Sequence, residues 1–488
     1  MDPGAGRPAG RWLDARTERR LVVLAGGVLA LVAGLIYLAT QVDRYYDHFV
    51  WQASAFLEGQ AAIRYPVAGS AASHGNAYFQ DVLPVATADG VGRGLLPVPP
   101  LPAVLLLPFV AVWGLATDDQ TLFSILAAVD VAICWWMLGR LRLRPPVRLA
   151  TTIFFAFGTV FWYTAQLATT WYQAHIVAVG LAMVAIAIAL GADPAAQDDE
   201  PGFDDPDVPA PRFRPSFPTW RGWIAVDRRQ FLAGFLFGLA CTARLTVVFA
   251  APFFLFVGAG GNWWRRGWSA GLGAIIPVGL LLAYNIVTTG ELIHPAYDYL
   301  YRLESFAYPS LGYDPRWGVE DARYLPQNAA IMFLSLPDVF PSTLPDSLGV
   351  NDTAVCLDPG AVRGLFDVSC PLAVPRDVGM SVLVTSPAWL LAIPALRRYG
   401  RSRLVTGAAL AVVVVVVVNL MHFSQGWVQF GYRFSNDAAP FALLLVALGM
   451  ERFVDRGRAW AMPAAIGLVL LSITINAWGV AWGRLLGW

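Results

Sequence analysis

Two aspartates four residues apart, Asp43 and Asp47, stand in "QVDRYYDHFVWQASAFLEG" (41–59), where a long apolar run stops. Tyr45, Phe49, Ala53, Phe56 and Leu57 recur at helical spacing. That pattern predicts an amphipathic helix over 45–58 lying flat on a membrane, with both carboxylates on one face. A carboxylate at a membrane-facing cleft can act as general base toward an acceptor hydroxyl, or ligate a divalent cation. Both also read as ordinary interfacial residues, with Asp43 capping the helix. Further on, Asp81, Asp89 and Arg93 precede the proline-rich "GLLPVPPLPAVLLLP", where Asp89-Gly90 reads most simply as a turn.

The cations are as informative as the acids. Arg244, in "TARLT", lies between two apolar runs, and ionisable residues at membrane depth are functional candidates because they are costly to keep there. A guanidinium in that position can clamp a lipid phosphate bidentately, or it can snorkel to the interface. "HFSQGWVQFGYRFSNDAAPF" (422–441) contributes His422, Tyr432, Arg433 and Asp437. His175, in "TTWYQAHIV", reads either as a site residue or as a satisfied structural histidine. Cys356 and Cys370 lie in a polar loop, where they can close a ring of about 15 residues or remain two thiols. No phosphate-binding glycine loop, dinucleotide fingerprint, serine-hydrolase elbow or zinc spacing is present.

What must hold these residues in place is a membrane bundle. Of 488 residues, 57% are hydrophobic and 14% charged, against roughly 25% charged in soluble domains. The 34 basic and 34 acidic residues cancel, and nothing points to nucleic acid. An arginine-rich flank followed by about 20 apolar residues, with no small-residue cleavage site, reads as an uncleaved first span. Placing arginine clusters in the cytoplasm predicts an all-α polytopic protein of about 11 transmembrane helices. Its spans run over about 20–40, 121–139, 149–165, 171–191, 229–243, 246–260, 270–288, 380–396, 403–421, 437–450 and 459–480. Residues 101–114 form a juxtamembrane or re-entrant helix.

The organisation that follows is a cytoplasmic tail (1–19), one transmembrane module (20–480) and a short C-terminal tail (481–488). Within the module, 41–120 and 289–379 are extracytoplasmic loops, and 192–228 is a Pro- and Asp-rich cytoplasmic loop expected to be disordered. The chemistry belongs on the extracytoplasmic face, because the long, aromatic-rich segments lie there. No nucleotide site supplies energy, so an enzyme of this kind takes it from an activated donor already in the membrane.

The order of an acid after the first span, a flat helix, "FLEG" and "GRGLLPVPPLPAVLLLPFVAVWG" resembles the first outer loop of the GT-C superfamily of polytopic glycosyltransferases. These include protein O-mannosyltransferases, the lipid A aminoarabinose transferase and arabinosyltransferases. "GLACTARLTVVFAAPFFLF" resembles that family's paired short helices with a basic residue between them. The resemblance covers most of the chain. It implies inverting transfer of a sugar from a polyprenyl-phosphate donor to a lipid, glycan or protein acceptor, at the plasma membrane of a bacterial cell envelope. Asp43 best matches the family's catalytic acid, with Asp47 one helical turn away. Arg244 and Arg433 are the donor-phosphate cations, and Arg93 is a third, because Val98 stands where several members carry Lys or His before the Pro-Pro pair. Asp81, His175, Tyr297 and Tyr432 are candidates for acceptor, sugar or metal contacts. Two other classes remain: a transporter or flippase of lipid-linked sugars, which requires inverted repeats and midplane polar residues, and an envelope polysaccharide ligase or polymerase.

Overall fold

The computed structural model describes residues 15–43, 46–64, 82–85, 92–198, 224–299, 314, 316–345, 352–424, 426, 428–455 and 458–488. Asp81, Asp89 and most of the 192–228 loop lie outside these. The described chain is mainly helical. Six helices are long and apolar enough to cross a membrane: α1 (Ala15–Thr40, apolar from Arg20), α4 (Asp119–Leu138), α7 (Thr170–Ala192), α10 (Trp263–Thr289), α14 (Arg403–Leu420) and α16 (Ala461–Leu486). A seventh results if α5 (Pro145–Phe157) and α6 (Phe161–Leu167), bent by 46°, count as one span.

The other expected spans take a different form. Residues 229–243 fold as α8 (Arg228–Cys241) and 246–260 as a 3-10 turn, Leu245–Ala250, followed by α9 (Phe253–Phe256). Residues 380–396 form α12 (Val382–Thr385), a 3-10 segment (Pro387–Ala392) and α13 (Ile393–Leu396). Prolines 252, 387 and 394 stand at these breaks, where a missing amide hydrogen and a fixed φ interrupt the helical ladder. The 437–450 stretch is in α15 (Ser435–Val454), which carries Asp437 at one end and Glu451 and Arg452 at the other. Among the described residues, six helices, or seven with the bent pair, have membrane length, and the other expected spans are shorter or broken.

Residues 101–114 form α3 (Leu101–Trp113). Thirteen residues rise about 20 Å, short of the roughly 30 Å hydrocarbon core. The preceding helix is α2 (His48–Leu57), and part of its apolar face is covered by protein. Phe49, Val50 and Ala53 are buried in the same core as Ala103, Leu106 and Val110 of α3. Between these helices, β1 (Ile63–Arg64) and β2 (Leu83–Val85) flank β3 (Arg93–Leu95), both antiparallel.

The bundle has two chemically distinct ends. At one, side chains satisfy the carbonyls of interrupted elements. Gln120 donates to Val42 O (3.0 Å) and Leu167 O (2.6 Å), tying the exit of α1 and the end of α6 to the start of α4. At the other, arginines meet acids across the helix ends: Arg144 with Glu451 (3.0 Å) and Asp455, Arg142 with Asp198, and Arg403 with Asp193 (2.8 Å). At the centre stands α7, apolar on nearly every side, with 78% of its apolar stretch buried against 17% for α1.

Helices α8 and α10 approach each other closely. A Cβ on Gly234 would fall 2.0 Å from Ala270 O, and one on Gly238 2.6 Å from Ala274 O. This is the small-xxx-small spacing that lets two membrane helices touch through their backbones. Because the obstructing atoms are backbone, Gly234→Val is expected to cost about 1–3 kcal/mol by overpacking. Gly271, with nothing within 4 Å of its virtual Cβ, tolerates alanine. Thermal unfolding midpoints of the two variants in detergent check the contrast.

Candidate functional site

The buried carboxylate of Asp437, in the first turn of α15, gathers donors from three other segments. Its Oδ1 accepts from His175 Nδ1 of α7 (2.9 Å) and Arg244 Nε (3.2 Å). Its Oδ2 accepts from Arg244 Nη2 (2.8 Å), Thr246 Oγ1 (2.8 Å) and Asn419 Nδ2 of α14 (3.1 Å). Arg244 reaches in because the chain leaves helical geometry there (φ −141°, ψ 103°) between α8 and the following 3-10 turn. The Asp437 side chain is 0% exposed and that of Arg244 17%. Since a carboxylate only accepts, His175 Nδ1 carries the proton and Nε2 presents a lone pair. That Nε2 is buried with no hydrogen-bond partner among the described residues.

Arg433 lies beside this hub in a different state. Its guanidinium carbon is 5.4 Å from the ring centroids of both Tyr172 and Phe434. Its Nε is buried without a partner, and no carboxylate among the described residues pairs with it. Arg244 thus spends its charge on Asp437, whereas Arg433 keeps its own. Tyr432 is 1% exposed, with its hydroxyl without a hydrogen-bond partner among the described residues and its ring against Phe434. Over the hub lies part of the 289–379 segment. Tyr297 meets the His422 ring edge-on, His422 Nδ1 bonds Glu320 (2.6 Å), and His422 also packs edge-on against Phe434. Sequence-predicted residues Arg244, Arg433, His175, Tyr432 and Tyr297 therefore come together.

The acids of the first loop form a second group across the start of α7. Asp47 occupies the N-cap position of α2 but makes no side-chain cap bond. Burial, then Asp118 and Asp43, push its carboxyl above the usual range. Asp118 caps α4 through Thr121 N (3.0 Å), and the adjacent Asp119 accepts from Gln173 Nε2 (2.7 Å). His48 Nδ1 lies 2.8 Å from Thr170 Oγ1, which donates to Tyr46 O (3.1 Å). Asp43 is exposed. Arg93 is opposite Arg64 in the β1–β3 pair rather than in the hub. Cys356 and Cys370 are joined in a disulfide, and Cys134 and Cys241 are buried thiols.

Among the described residues, no group of three or more His, Cys, Asp or Glu is arranged to hold a metal. No protein-family model matches the chain, and no curated protein or solved structure matches it either.

Several residues of these two groups gave no sequence signal. Asp118 and Asp119 read as the polar start of a helix, Glu320 and Asn419 as loop and span. Asp437 lay in a motif noticed for its arginine, although an acid at the head of an apolar run is the cue that identifies it. Truncating one partner of a buried ion pair strands the other. Asp437→Asn should therefore cost about 3–5 kcal/mol, and adding Arg244→Gln should recover part of that loss. Unfolding of the single and double variants in one detergent tests the coupling.

Proposed function

We propose that this chain is a GT-C-like membrane glycosyltransferase, which passes a sugar from a polyprenyl-phosphate donor to an acceptor at the extracytoplasmic face of the plasma membrane. An aspartate of the first loop takes the acceptor hydroxyl proton. The oxygen attacks the anomeric carbon with inversion. The sugar–phosphate bond breaks, and the lipid phosphate departs with its electron pair beside a cation. Asp47 suits the base better than an ordinary carboxylate, because its raised pKa lies closer to working pH.

The observation that carries this reading is Arg433, a guanidinium 5.4 Å from the ring centroids of both Tyr172 and Phe434 that no carboxylate among the described residues pairs with. Gln173, next to Tyr172, binds Asp119 of the acidic group on the other side of α7. Cation and acids therefore flank one helix start. Arg244 supports the site indirectly, by fixing Asp437 and His175. The arginine-rich end is cytoplasmic in this reading, and the short elements α8, α9, α12, α13 and α15 complete an eleven-pass path. The contacts of Arg403 with Asp193 and Phe256 O agree with that path, since they put the ends of α7 and α9 beside the start of α14.

Purified protein in nanodiscs, given labelled polyprenyl-phosphate sugar and membrane-extracted acceptors, tests the proposal. Replacing the true base, Asp47→Asn or Asp43→Asn, should lower transfer about 10²–10⁴-fold. Transfer at wild-type rate in both variants overturns the assignment. With Asp47 as base, activity is retained above its raised pKa and lost as pH falls through it, so the acid limb lies above the ordinary carboxylate range.

One observation favours the transporter reading. Asp130, in α4, is 1% exposed within a membrane-length helix, and its Oδ2 has no partner among the described residues. A buried intramembrane carboxyl is the group a proton-coupled carrier needs. On that reading Asp130→Asn abolishes movement of a lipid-linked sugar across proteoliposomes; on the transferase reading it leaves the chemical step intact. Assaying both activities in one preparation separates them.

A further inference from the structure

The region 338–345 with 352–374 is a small lobe at the hub end. β4 (Asp338–Val339) pairs with β7 (Ala373–Val374), β5 (Thr343–Pro345) with β6 (Asp352–Ala354), and the Cys356–Cys370 disulfide closes the turn between them. Arg363 Nη1 donates to Pro341 O (3.0 Å) and Pro371 O (2.8 Å), which fixes the tip. A lobe so tied has a set shape, yet its apolar side chains face outward. Val362 is 85% exposed, Leu357 80%, Phe340 61%, Val339 57% and Leu365 52%. A cluster of this kind on a fixed surface marks a contact that the isolated chain leaves open.

The lobe's position says what covers it. Leu344 and Val374 are buried against Trp482 of α16, with Trp478 and Leu486 packed alongside. α16 has 26 residues, a rise of about 39 Å, which exceeds the roughly 30 Å hydrocarbon core, so one end stands at headgroup level. At this end Arg484 is exposed and Trp478 part-exposed, as basic and aromatic residues are at a membrane interface, while Trp482 and Trp488 are buried against the protein. A recess of about 220 Å³ lies between lobe and helix, lined by Leu344, Pro345, Thr353, Val355, Val368, Leu485 and Leu486, mostly apolar side chains with one hydroxyl.

We propose that this lobe is a membrane-surface element, its apolar face and the recess covered by acyl chains of the surrounding phospholipid. The lipid-facing surface of α16 continues into the lobe through Leu485 and Leu486. Described lobe residues carry four aspartates, Asp338, Asp352, Asp358 and Asp367, against one arginine, Arg363. Apolar burial therefore drives the contact, not attraction to anionic headgroups. The inference rests on membrane character alone and stands whether or not the chain is a glycosyltransferase.

Site-directed spin labelling of the full chain in phosphatidylcholine vesicles tests it. Cys134 and Cys241 are buried and Cys356 is bonded to Cys370, so Val362→Cys or Leu357→Cys introduces the reactive thiol. Leu470→Cys, on the exposed middle of α16, gives the lipid reference, and Arg316→Cys the aqueous one. The expected result is collision with oxygen favoured over a nickel chelate, as at Leu470→Cys. Nickel access equal to that at Arg316→Cys overturns the proposal. So does a label immobilised and closed to both reagents, which means that a second copy of the chain covers the face.

Discussion

The Asp437 carboxylate is the interaction on which the hub end depends. An ionised carboxylate with no access to water is tolerated only when opposite charge and enough donors surround it. Here both oxygens are saturated by His175, Arg244, Thr246 and Asn419. Its place in the first turn of α15 adds the favourable end of a helix dipole. The donors arrive on three segments, His175 on α7, Arg244 and Thr246 on one turn and Asn419 on α14, so the carboxylate fixes these relative to α15. The tautomer of His175 and the orientation of Phe434 beneath both arginines follow from that one group.

The two ends of the bundle use charge differently. At the arginine end Arg142–Asp198 and Arg144–Asp455 are open to solvent, whereas Arg403–Asp193 is partly buried. The Arg142 and Asp198 side chains are 64% and 50% exposed, where an ion pair contributes little and mainly records which end stays in water. At the hub end the Arg244–Asp437 pair is buried and structural. Among the described residues no carboxylate pairs with Arg433. Its guanidinium carbon lies 5.4 Å from two ring centroids, within cation–π reach of both, and its Nε is buried with no partner among the described residues.

Membrane character was legible from the apolar runs and the arginine clusters. So were α1, α4, α7, α10, α14 and α16, because a membrane-length apolar helix is written directly in composition. The short elements were not. "TSPAWLLAIPAL" and "TVVFAAPFFLF" have the apolar content of spans, and only their prolines warn that backbone geometry breaks. Arg244, Arg433 and His175 stood out because charge or imidazole at an apolar boundary is costly. Asp437 did not, because an acid at a helix start also reads as a dipole-matching surface residue. The helix expected over 45–58 is there as α2, but periodicity gives an apolar face and not what covers it; α3 packs on part of that face.

The break between α6 and α7 shows why the acids and cations end up so close. Ala168 takes a left-handed conformation (φ 41°), and a helix interrupted inside a bundle exposes carbonyls that need donors. Leu167 O is taken by Gln120 (2.6 Å) and Ala168 O by Gln173 (2.8 Å). Gln173 spends the same amide nitrogen on Asp119 (2.7 Å), so the group that repairs the break also sets the acidic cluster. Tyr172 and His175, three residues apart and hence on one face of α7, turn instead toward Arg433 and Asp437. Moving the break by one residue would rotate both faces by about 100°, carrying acids and cations out of register with their partners. The irregular backbone at Ala168 is therefore what allows a single helix start to serve both charge groups.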